Sequence, residues 1–197
     1  MKQVKEAKTH IKESGLIIYP TETAYAVGGD ALDEKVIKKV YNSKERPQSK
    51  GLTAILDSME SAEQYADLSE SEKILIEEFM PGPLTLVADK KENVPDSLND
   101  KFVFRVSSSP IARELASETP IIATSANISG EKTSYAVEDI SDALIEKADY
   151  IVDRGRLPKG PTSTIAEVED GEVFIHRNGP ITREEIEAAL NDRDIHN

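Results

Sequence analysis

The apolar residues of this chain recur in turn at helical and at strand spacing from one end to the other, and this alternation restricts the fold more than any other feature. Residues 2–13 place Val4, Ala7 and Ile11 on one helical face, and a short apolar run at 16–19 follows. An α/β fold is the class that such alternation favours. We predict helices over residues 2–13, 33–42, 59–66, 70–79, 110–117, 137–147 and beyond 182. We predict strands over residues 16–19, 52–56, 84–88, 102–106, 121–124, 150–152, 164–168 and 173–176.

The organisation of the chain predicts one α/β domain over residues 1–197, because no linker, internal repeat or low-complexity segment interrupts it. The predicted strands are short, and the strict alternation of strand and helix is lost toward the C-terminus. We therefore expect about seven strands in a mixed rather than an all-parallel sheet. Residues 191–197 are expected to form a frayed tail.

Composition excludes several classes of function. Cysteine is absent, which excludes a disulfide framework, a thiol nucleophile and a zinc–thiolate site. The 24 basic and 37 acidic residues give a net charge of -13, which disfavours an extended duplex as the main ligand but admits a compact anion if cations gather in one pocket. No apolar run approaches the ~20 residues of a membrane span, and the N-terminus has no apolar secretory region. We therefore expect a cytoplasmic protein.

Polar side chains follow several predicted strands, and functional groups of α/β folds collect on such loops. The segment PTETAY at 20–25 offers two threonine hydroxyls, a carboxylate and a phenol. The segment TSANISG at 124–130 offers small hydroxyl and amide groups that can bind phosphate or ribose. For both segments the alternative is a turn whose side chains bind local backbone groups.

Three cations stand within seven residues in the segment SKERPQSKG at 43–51, namely Lys44, Arg46 and Lys50. Lysine is a point charge for phosphate, and arginine adds a planar fork that can bind it through two bonds. This concentration predicts an anion site in an otherwise acidic chain. The alternative is a solvated loop that complements the C-terminus of the preceding helix.

Two arginines extend the candidate site. Arg177 ends the last predicted strand, close in sequence to the hydroxyls of the segment GPTST at 160–164. Arg105 lies in the strand FVFRV, where alternation places Lys101, Val103 and Arg105 on one face. A buried arginine needs an anionic partner, so Arg105 either binds a ligand or forms an internal ion pair with Asp or Glu.

The remaining titratable groups predict no further chemistry. His10, His176 and His196 are too scattered for a triad or a metal cluster, and His176 is expected to be a packing residue rather than a general base. The acidic residues at 57–78 indicate solvated helix faces. Nothing in the sequence requires a covalent nucleophile.

Taken in order, six motifs resemble the YrdC/Sua5/TsaC family of threonylcarbamoyl-AMP synthases, over about residues 15–181. The motifs are PTETAY, SKERP, PGPLT at 81–85 followed by the strand arginine, SAN, STIAEV and the R-x-G at 177–179. The length fits the short, single-domain TsaC-like form. The resemblance implies a twisted open α/β sheet with helices on its faces and a large concave cleft.

The activity that the resemblance implies joins L-threonine, bicarbonate and ATP into threonylcarbamoyl-AMP and pyrophosphate, for threonylcarbamoyladenosine modification of tRNA. Mg²⁺ would act through the ATP phosphates, and catalysis would consist of positioning and charge stabilisation, chiefly by Lys44 and Arg46. The residues implied for ATP are Lys44, Arg46, Lys50, Lys101, Ser125, Asn127, Thr133 and Arg177. The residues implied for threonine are Thr23, Arg105, Ala123 and Ser163.

The chain departs from the family pattern at Ala26, Met80, Val106, Ser107 and Ser109, and the last three affect the expected threonine pocket. Two other functions are considered. One is a non-catalytic module of the same fold that binds double-stranded RNA or tRNA, against which the net charge of -13 argues. The other is a carbamoyl-transfer enzyme with a different acceptor.

Overall fold

The computed structural model describes residues 2–194, in which seven α-helices and eleven strands follow one another. The helices are α1 (Lys2–Lys12), α2 (Glu34–Ser43), α3 (Met59–Tyr65), α4 (Glu70–Phe79), α5 (Pro110–Leu115), α6 (Asp142–Ile145) and α7 (Arg183–Asp194), with a 3₁₀ helix at Val137–Asp139. The strands are β1 (Ile17–Pro20), β2 (Tyr25–Gly28), β3 (Ala54–Leu56), β4 (Ala66–Asp67), β5 (Leu84–Lys90), β6 (Phe102–Val106), β7 (Ile121–Ile122), β8 (Thr124–Ser125), β9 (Tyr150–Ile151), β10 (Thr164–Glu169) and β11 (Glu172–Arg177).

The strands form two mixed sheets. The smaller sheet has the order β8-β2-β1-β9, and the larger has the order β11-β10-β5-β6-β3-β7, with β4 added beside β5. The predicted mixed α/β class is confirmed, whereas the expectation of one sheet with about seven strands understates the architecture. The apolar run at 121–124 breaks at Ala123, so that β7 pairs with β3 of the larger sheet while β8 pairs with β2 of the smaller one.

Most helices lie where the apolar periodicity predicts them. Helix α2 buries Val36, Ile37, Val40 and Tyr41, the four residues of its predicted stripe. The predicted helix at 137–147 is instead a 3₁₀ turn followed by the four-residue α6. Helix α7 continues through residues 191–194, where the sequence predicts a frayed tail, and 195–197 lie outside the described residues.

Strand β6 shows how the larger sheet separates core from cleft. Phe102 and Phe104 point to one face, where their rings stack 5.2 Å apart and are fully buried. Arg105 and Val103 alternate with them and line a cavity on the opposite face. The predicted shared face of Arg105 and Val103 is therefore confirmed. Within residues 2–194, no helix combines the length and the apolar character needed to cross a membrane.

Candidate functional site

A cavity of about 810 Å³ is lined by both sheets and by loops that precede or follow their strands. Eight of the twelve residues implied for ATP or threonine line this cavity. They are Thr23, Arg46, Lys50, Arg105, Ala123, Ser125, Ser163 and Arg177. The expectation that distant strand-end loops converge on one hollow is therefore confirmed, while the ligand assigned to each residue stays a prediction.

Arg46 stabilises the loop at 43–51 through hydrogen bonds to its backbone. Its Nε donates to the carbonyl of Lys50 at 2.6 Å, and its Nη2 donates to the carbonyl of Gly51 at 2.8 Å. Burial lowers the pKa of Arg46, and no carboxylate among the described residues pairs with it. The guanidinium thus presents a positive charge to the cavity that no protein group neutralises.

Arg177 is fixed at the cavity wall by Ser163. Its Nε donates to the Ser163 carbonyl and its Nη2 to the Ser163 hydroxyl, both at 2.9 Å. Burial lowers the pKa of Arg177, and the charges of Arg105 and Arg46 lower it further. The guanidinium of Arg177 is therefore repelled by both of the others, and an anion bound among the three would relieve that repulsion.

The internal ion pair considered for Arg105 is present. Its Nε donates to Oε1 of Glu22 at 3.0 Å, and both side chains are largely buried. The other carboxylate oxygen accepts a hydrogen bond from Ser107. The terminal Nη atoms of Arg105 make no hydrogen bond with any described residue, so the edge that binds a carboxylate through two bonds stays open.

The departures from the family pattern have local structural partners. Ser107 supports Glu22, as described above, and Ser109 caps helix α5, where its hydroxyl accepts from the amide of Ala112. The amide of Val106 lies 3.3 Å from Sδ of Met80. Ala26 pairs with Ser125 across strands β2 and β8. The two serines thus hold the loop after Arg105 in place.

Lys44 and Asn127, which the resemblance implies for ATP, do not line the cavity. The ammonium of Lys44 is buried and donates to the carbonyls of Ser125 and Asn127, and it lies 3.5 Å from Oδ1 of Asn127. The amide of Asn127 donates to the carbonyls of Ile128 and Glu131. Burial, and then the charge of Arg46, lowers the pKa of Lys44 to about 8. Both side chains shape the loop that presents the Ser125 hydroxyl.

Two further residues implied for ATP lie off the cavity wall. Thr133 is half-buried and does not line it. Lys101 is paired with Glu167, whose Oε1 lies 2.6 Å from its Nζ, and more distantly with Asp89 at 3.5 Å. Lys101 therefore contacts the cavity only through Glu167, which does line it.

Both threonines of the first loop line the cavity, and the hydroxyl of Thr21 also binds local backbone groups. Thr21 satisfies local groups, because its hydroxyl donates to the carbonyl of Ala24 at 2.8 Å and accepts from the amide of Thr23. Thr23 lines the cavity, with its hydroxyl 3.1 Å from that of Thr21. The amide of Ala123 already donates to the carbonyl of Thr53, so only its remaining backbone and methyl group can meet a ligand.

The sequence analysis missed the pair of Glu167 and His176 on the cavity wall. Nε2 of His176 lies 2.7 Å from Oε2 of Glu167, and the His176 side chain is 49% exposed. The expectation that His176 is a packing residue is therefore wrong. Glu167 pairs with Phe174, so strand alternation places His176 on the face of Glu167, but nothing in the sequence marks the β-bulge that brings Arg177 to the same side.

Fold and site together define a mixed α/β protein with a cationic cavity suited to small anionic molecules. The model of the Sua5/YciO/YrdC family, described as "Telomere recombination", matches residues 9–179. The chain belongs to this family.

Relatives support the same placement. The threonylcarbamoyl-AMP synthase of Pyrococcus abyssi is 34% identical over 200 residues, covering 98% of this chain and 59% of the relative. A Methanocaldococcus jannaschii protein named for the same activity is 36% identical over 175 residues, covering 88% of this chain and 84% of the relative. The chain thus spans most of one relative and a little over half of the other.

Solved structures share the fold. The structure of P. abyssi Sua5 complexed with L-threonine has a TM-score of 0.88 at 34% identity, covering 94% of this chain and 56% of that one. The structure of Escherichia coli YciO has a TM-score of 0.81 at 24% identity, covering 91% and 90% of the two chains, and supports the fold alone.

Proposed function

We propose that this chain is a threonylcarbamoyl-AMP synthase that uses L-threonine, bicarbonate and ATP. The observation that carries the proposal is the set of three guanidiniums, Arg46, Arg105 and Arg177, around one cavity in a chain of net charge -13. Relatives named for this activity, and the threonine complex of P. abyssi Sua5, support the choice of substrates.

Different residues of the cavity wall suit the two substrates. Arg46, Arg177 and Lys50 would bind the triphosphate, because none of them has a carboxylate partner among the described residues. The Ser125 hydroxyl makes no hydrogen bond with a described residue and would add a donor. The open Nη edge of Arg105 would bind the threonine carboxylate, and Glu22 would keep that guanidinium oriented.

The reaction needs no side-chain nucleophile. The threonine amine adds to the carbon of bicarbonate, and loss of water leaves a carbamate. A carbamate oxygen then bonds to the α-phosphorus of ATP as the bond to the β-phosphate oxygen breaks, which releases pyrophosphate. Arg46 and Arg177 would stabilise the charge that builds up on the phosphates, and one such donor is worth about 2.7–4 kcal/mol elsewhere.

Mg²⁺ is part of the proposal as a companion of ATP. Within residues 2–194, no three His, Asp or Glu side chains are grouped so that they could hold a metal ion. Mg²⁺ often keeps several waters and binds chiefly through substrate phosphates, so this cavity fits a metal that arrives on the nucleotide. The ion would neutralise phosphate charge during the transfer.

The test measures pyrophosphate released from ATP, Mg²⁺ and bicarbonate with and without threonine, and detects threonylcarbamoyl-AMP by mass spectrometry. We expect release that depends on threonine, and a loss of about 100-fold or more in Arg46→Ala. Arg154→Ala is the matched control, because Arg154 is exposed and lies outside the cavity. The absence of threonine-dependent release would reject the synthase. Release supported equally by other amines would indicate a different acceptor.

The link to tRNA is a further part of the proposal. The product would pass to the machinery that modifies tRNA in the cytoplasm, which is the location that the sequence predicts. If RNA bound the chain in place of catalysis, its affinity would fall steeply with salt. Strong, salt-sensitive RNA binding without synthase activity would favour the binding module over the enzyme.

A further inference from the structure

The floor of the cavity is divided into two zones by the register of the larger sheet. Val87 pairs with Val103 on one side and with Glu167 on the other, so these three residues form a row across β6, β5 and β10. Arg177, which the proposed function assigns to the phosphates, pairs with Ile165, and Ile165 lies two residues from Glu167 along β10, which at strand spacing is roughly 7 Å. The zone of the guanidiniums is thus separated from a second zone, which is formed by the two valines and the carboxylate of Glu167.

Glu167 is the sole acidic residue among the described residues that line the cavity. Its side chain is only 13% exposed, and each of its oxygens has one protein partner, Lys101 at 2.6 Å and His176 at 2.7 Å. Burial alone would raise the pKa of Glu167, but these two hydrogen bonds outweigh it and hold the pKa below its usual range. An ionised carboxylate has about four acceptor positions, so two stay available to a ligand.

The β-bulge fixes this arrangement. Between Ile165 and Ala166 the partners on β11 step from Arg177 to Ile175, which leaves His176 outside the ladder. A bulge re-aims the side chain of its extra residue, and here His176 and Arg177 line the cavity together although they are consecutive. The bulge therefore brings the partner of Glu167 and a guanidinium to the same side of the strand.

A carboxylate in an anion-binding cavity cannot serve the phosphates, because it would repel them. It fits a part of the ligand that is uncharged and donates hydrogen bonds. The vicinal hydroxyls of a ribose have this character, and acidic side chains bind ribose hydroxyls in other nucleotide sites. The two zones lie two residues apart along a strand, which is comparable with the separation of the phosphates and the sugar hydroxyls in a nucleotide. Val87 and Val103 would contact the apolar surface of the nucleotide.

We propose that Glu167 is a specificity-determining residue that accepts hydrogen bonds from the ribose hydroxyls of the bound nucleotide. Lys101 and His176 hold its carboxylate in place and do not themselves contact the sugar. This inference rests on the proposed function, because it takes ATP as the ligand. It assigns Lys101 a role through Glu167 rather than through direct contact with ATP.

The test compares the binding of Mg²⁺-ATP and of Mg²⁺-2′,3′-dideoxy-ATP by titration calorimetry. We expect the wild type to bind ATP about tenfold more tightly than the dideoxy nucleotide, as hydrogen bonds to a charged group allow. Glu167→Gln should bind ATP about tenfold more weakly, and it should bind the dideoxy nucleotide no more weakly than the wild type does, because it loses a charge that repels the phosphates. Glu169→Gln, two residues along the same strand and outside the cavity wall, should retain the wild-type ratio.

The outcomes separate this inference from the proposed function. A wild type that makes pyrophosphate but binds both nucleotides equally overturns the role of Glu167 and leaves the synthase standing. Equal weakening of both nucleotides in Glu167→Gln also overturns it. Discrimination against inosine triphosphate but not against the dideoxy nucleotide would assign the carboxylate to the base and overturn the ribose assignment. The wild-type comparison needs no variant, so a misfolded variant does not remove the test. Failure of ATP to bind rejects both proposals.

Discussion

Lys44 shows how one side chain can support a site without lining it. Its ammonium is buried beneath the cavity loop and donates to the carbonyls of Ser125 and Asn127, while its own carbonyl accepts from the amide of Ser129. The sequence identifies Lys44 as part of the site because three cations stand close together. Its placement behind the wall follows from the path of the 125–129 loop, which no local pattern predicts.

Replacement of Lys44 by methionine should lower the free energy of unfolding by about 3 kcal/mol, because the Asn127 carbonyl would be left unpaired and the Ser125 carbonyl would lose its charged donor and keep only the amide of Asn127. Chemical denaturation at pH 7 measures the change. Lys38→Met is the matched control, since Lys38 lies exposed on helix α2, which ends one residue before Lys44, and its loss should change stability by no more than about 0.5 kcal/mol. Equal stability of the two variants would contradict the structural role of Lys44.

Tyr19 should make the protein sensitive to alkali. Burial raises the pKa of Tyr19 above its usual value, and the charges of Arg105 and Glu22 modify that shift in opposite directions. Above pH 10 the unfolded chain releases the phenolic proton while the folded chain keeps it. Stability should therefore fall by about 1.4 kcal/mol per pH unit from this group.

The Tyr19→Phe variant tests this slope. At pH 7 it should be less stable by about 1 kcal/mol, because the hydroxyl that donates to the carbonyl of Ile122 is lost. The variant should regain that deficit as the pH rises past 10, since the other tyrosines titrate alike in both proteins. A deficit that is the same at pH 8 and pH 11 would show that Tyr19 does not cause the loss of stability at alkaline pH.

At the scale of helices and strands, local rules predict the ends of several elements correctly. The spacing of Ser69 and Glu72 predicts a capping box, and the structure has it: the Ser69 hydroxyl accepts from the Glu72 amide, and the Glu72 carboxylate accepts from the Ser69 amide at 2.7 Å. Thr182 and Glu185 have the same reciprocal pair ahead of α7. These contacts join residues only three positions apart, so the sequence alone is enough to predict them.

Substitution of Ser69 by alanine should therefore destabilise the fold by about 1 kcal/mol through the loss of the cap. Synthase activity should be unchanged at temperatures well below unfolding, because α4 contributes no residue to the cavity wall. Thermal unfolding and the pyrophosphate assay measure the two effects. Ser71→Ala, in the first turn of the same helix, should leave stability within about 0.5 kcal/mol of wild type. A larger effect at Ser71 than at Ser69 would contradict the capping argument.

The sequence does not predict structural features that depend on partners far away along the chain. Strand β2 begins at Tyr25 of the PTETAY motif, where the sequence analysis predicts no strand, and it pairs with β1 and with the distant β8. The bulge at His176 depends on the register of β10 against β11. Nothing local marks the break at Ala123, where one apolar run supplies a strand to each sheet. The shared side of His176 and Arg177 was missed for this reason.

At the scale of the whole molecule, the acidic surface and the cationic cavity have opposite effects on binding. A net charge of -13 repels anions at long range, so an anion reaches the cavity against the overall field and must be held by local charge. Arg46, Arg105 and Arg177 supply that charge from three separate parts of the chain. The sequence places Arg46 in a loop, Arg105 on a strand face and Arg177 at a strand end, whereas the repulsion on Arg177 and the protein partners of the arginines required the structure.

Pyrophosphate should therefore stabilise the whole fold, because it would relieve the repulsion among the three guanidiniums. At 100 times its dissociation constant a ligand that binds only the folded state adds about 2.7 kcal/mol. For a chain of this size that corresponds to a rise of roughly 5–10 °C in Tm. Scanning calorimetry with and without pyrophosphate measures it, and sodium chloride at matched ionic strength controls for general screening. Arg177→Gln should lose most of the rise while Arg154→Gln keeps it, since Arg154 lies outside the cavity. If pyrophosphate raised the Tm of wild type and Arg177→Gln equally, the anion would be bound elsewhere, and the cavity would have to be assigned to an uncharged ligand.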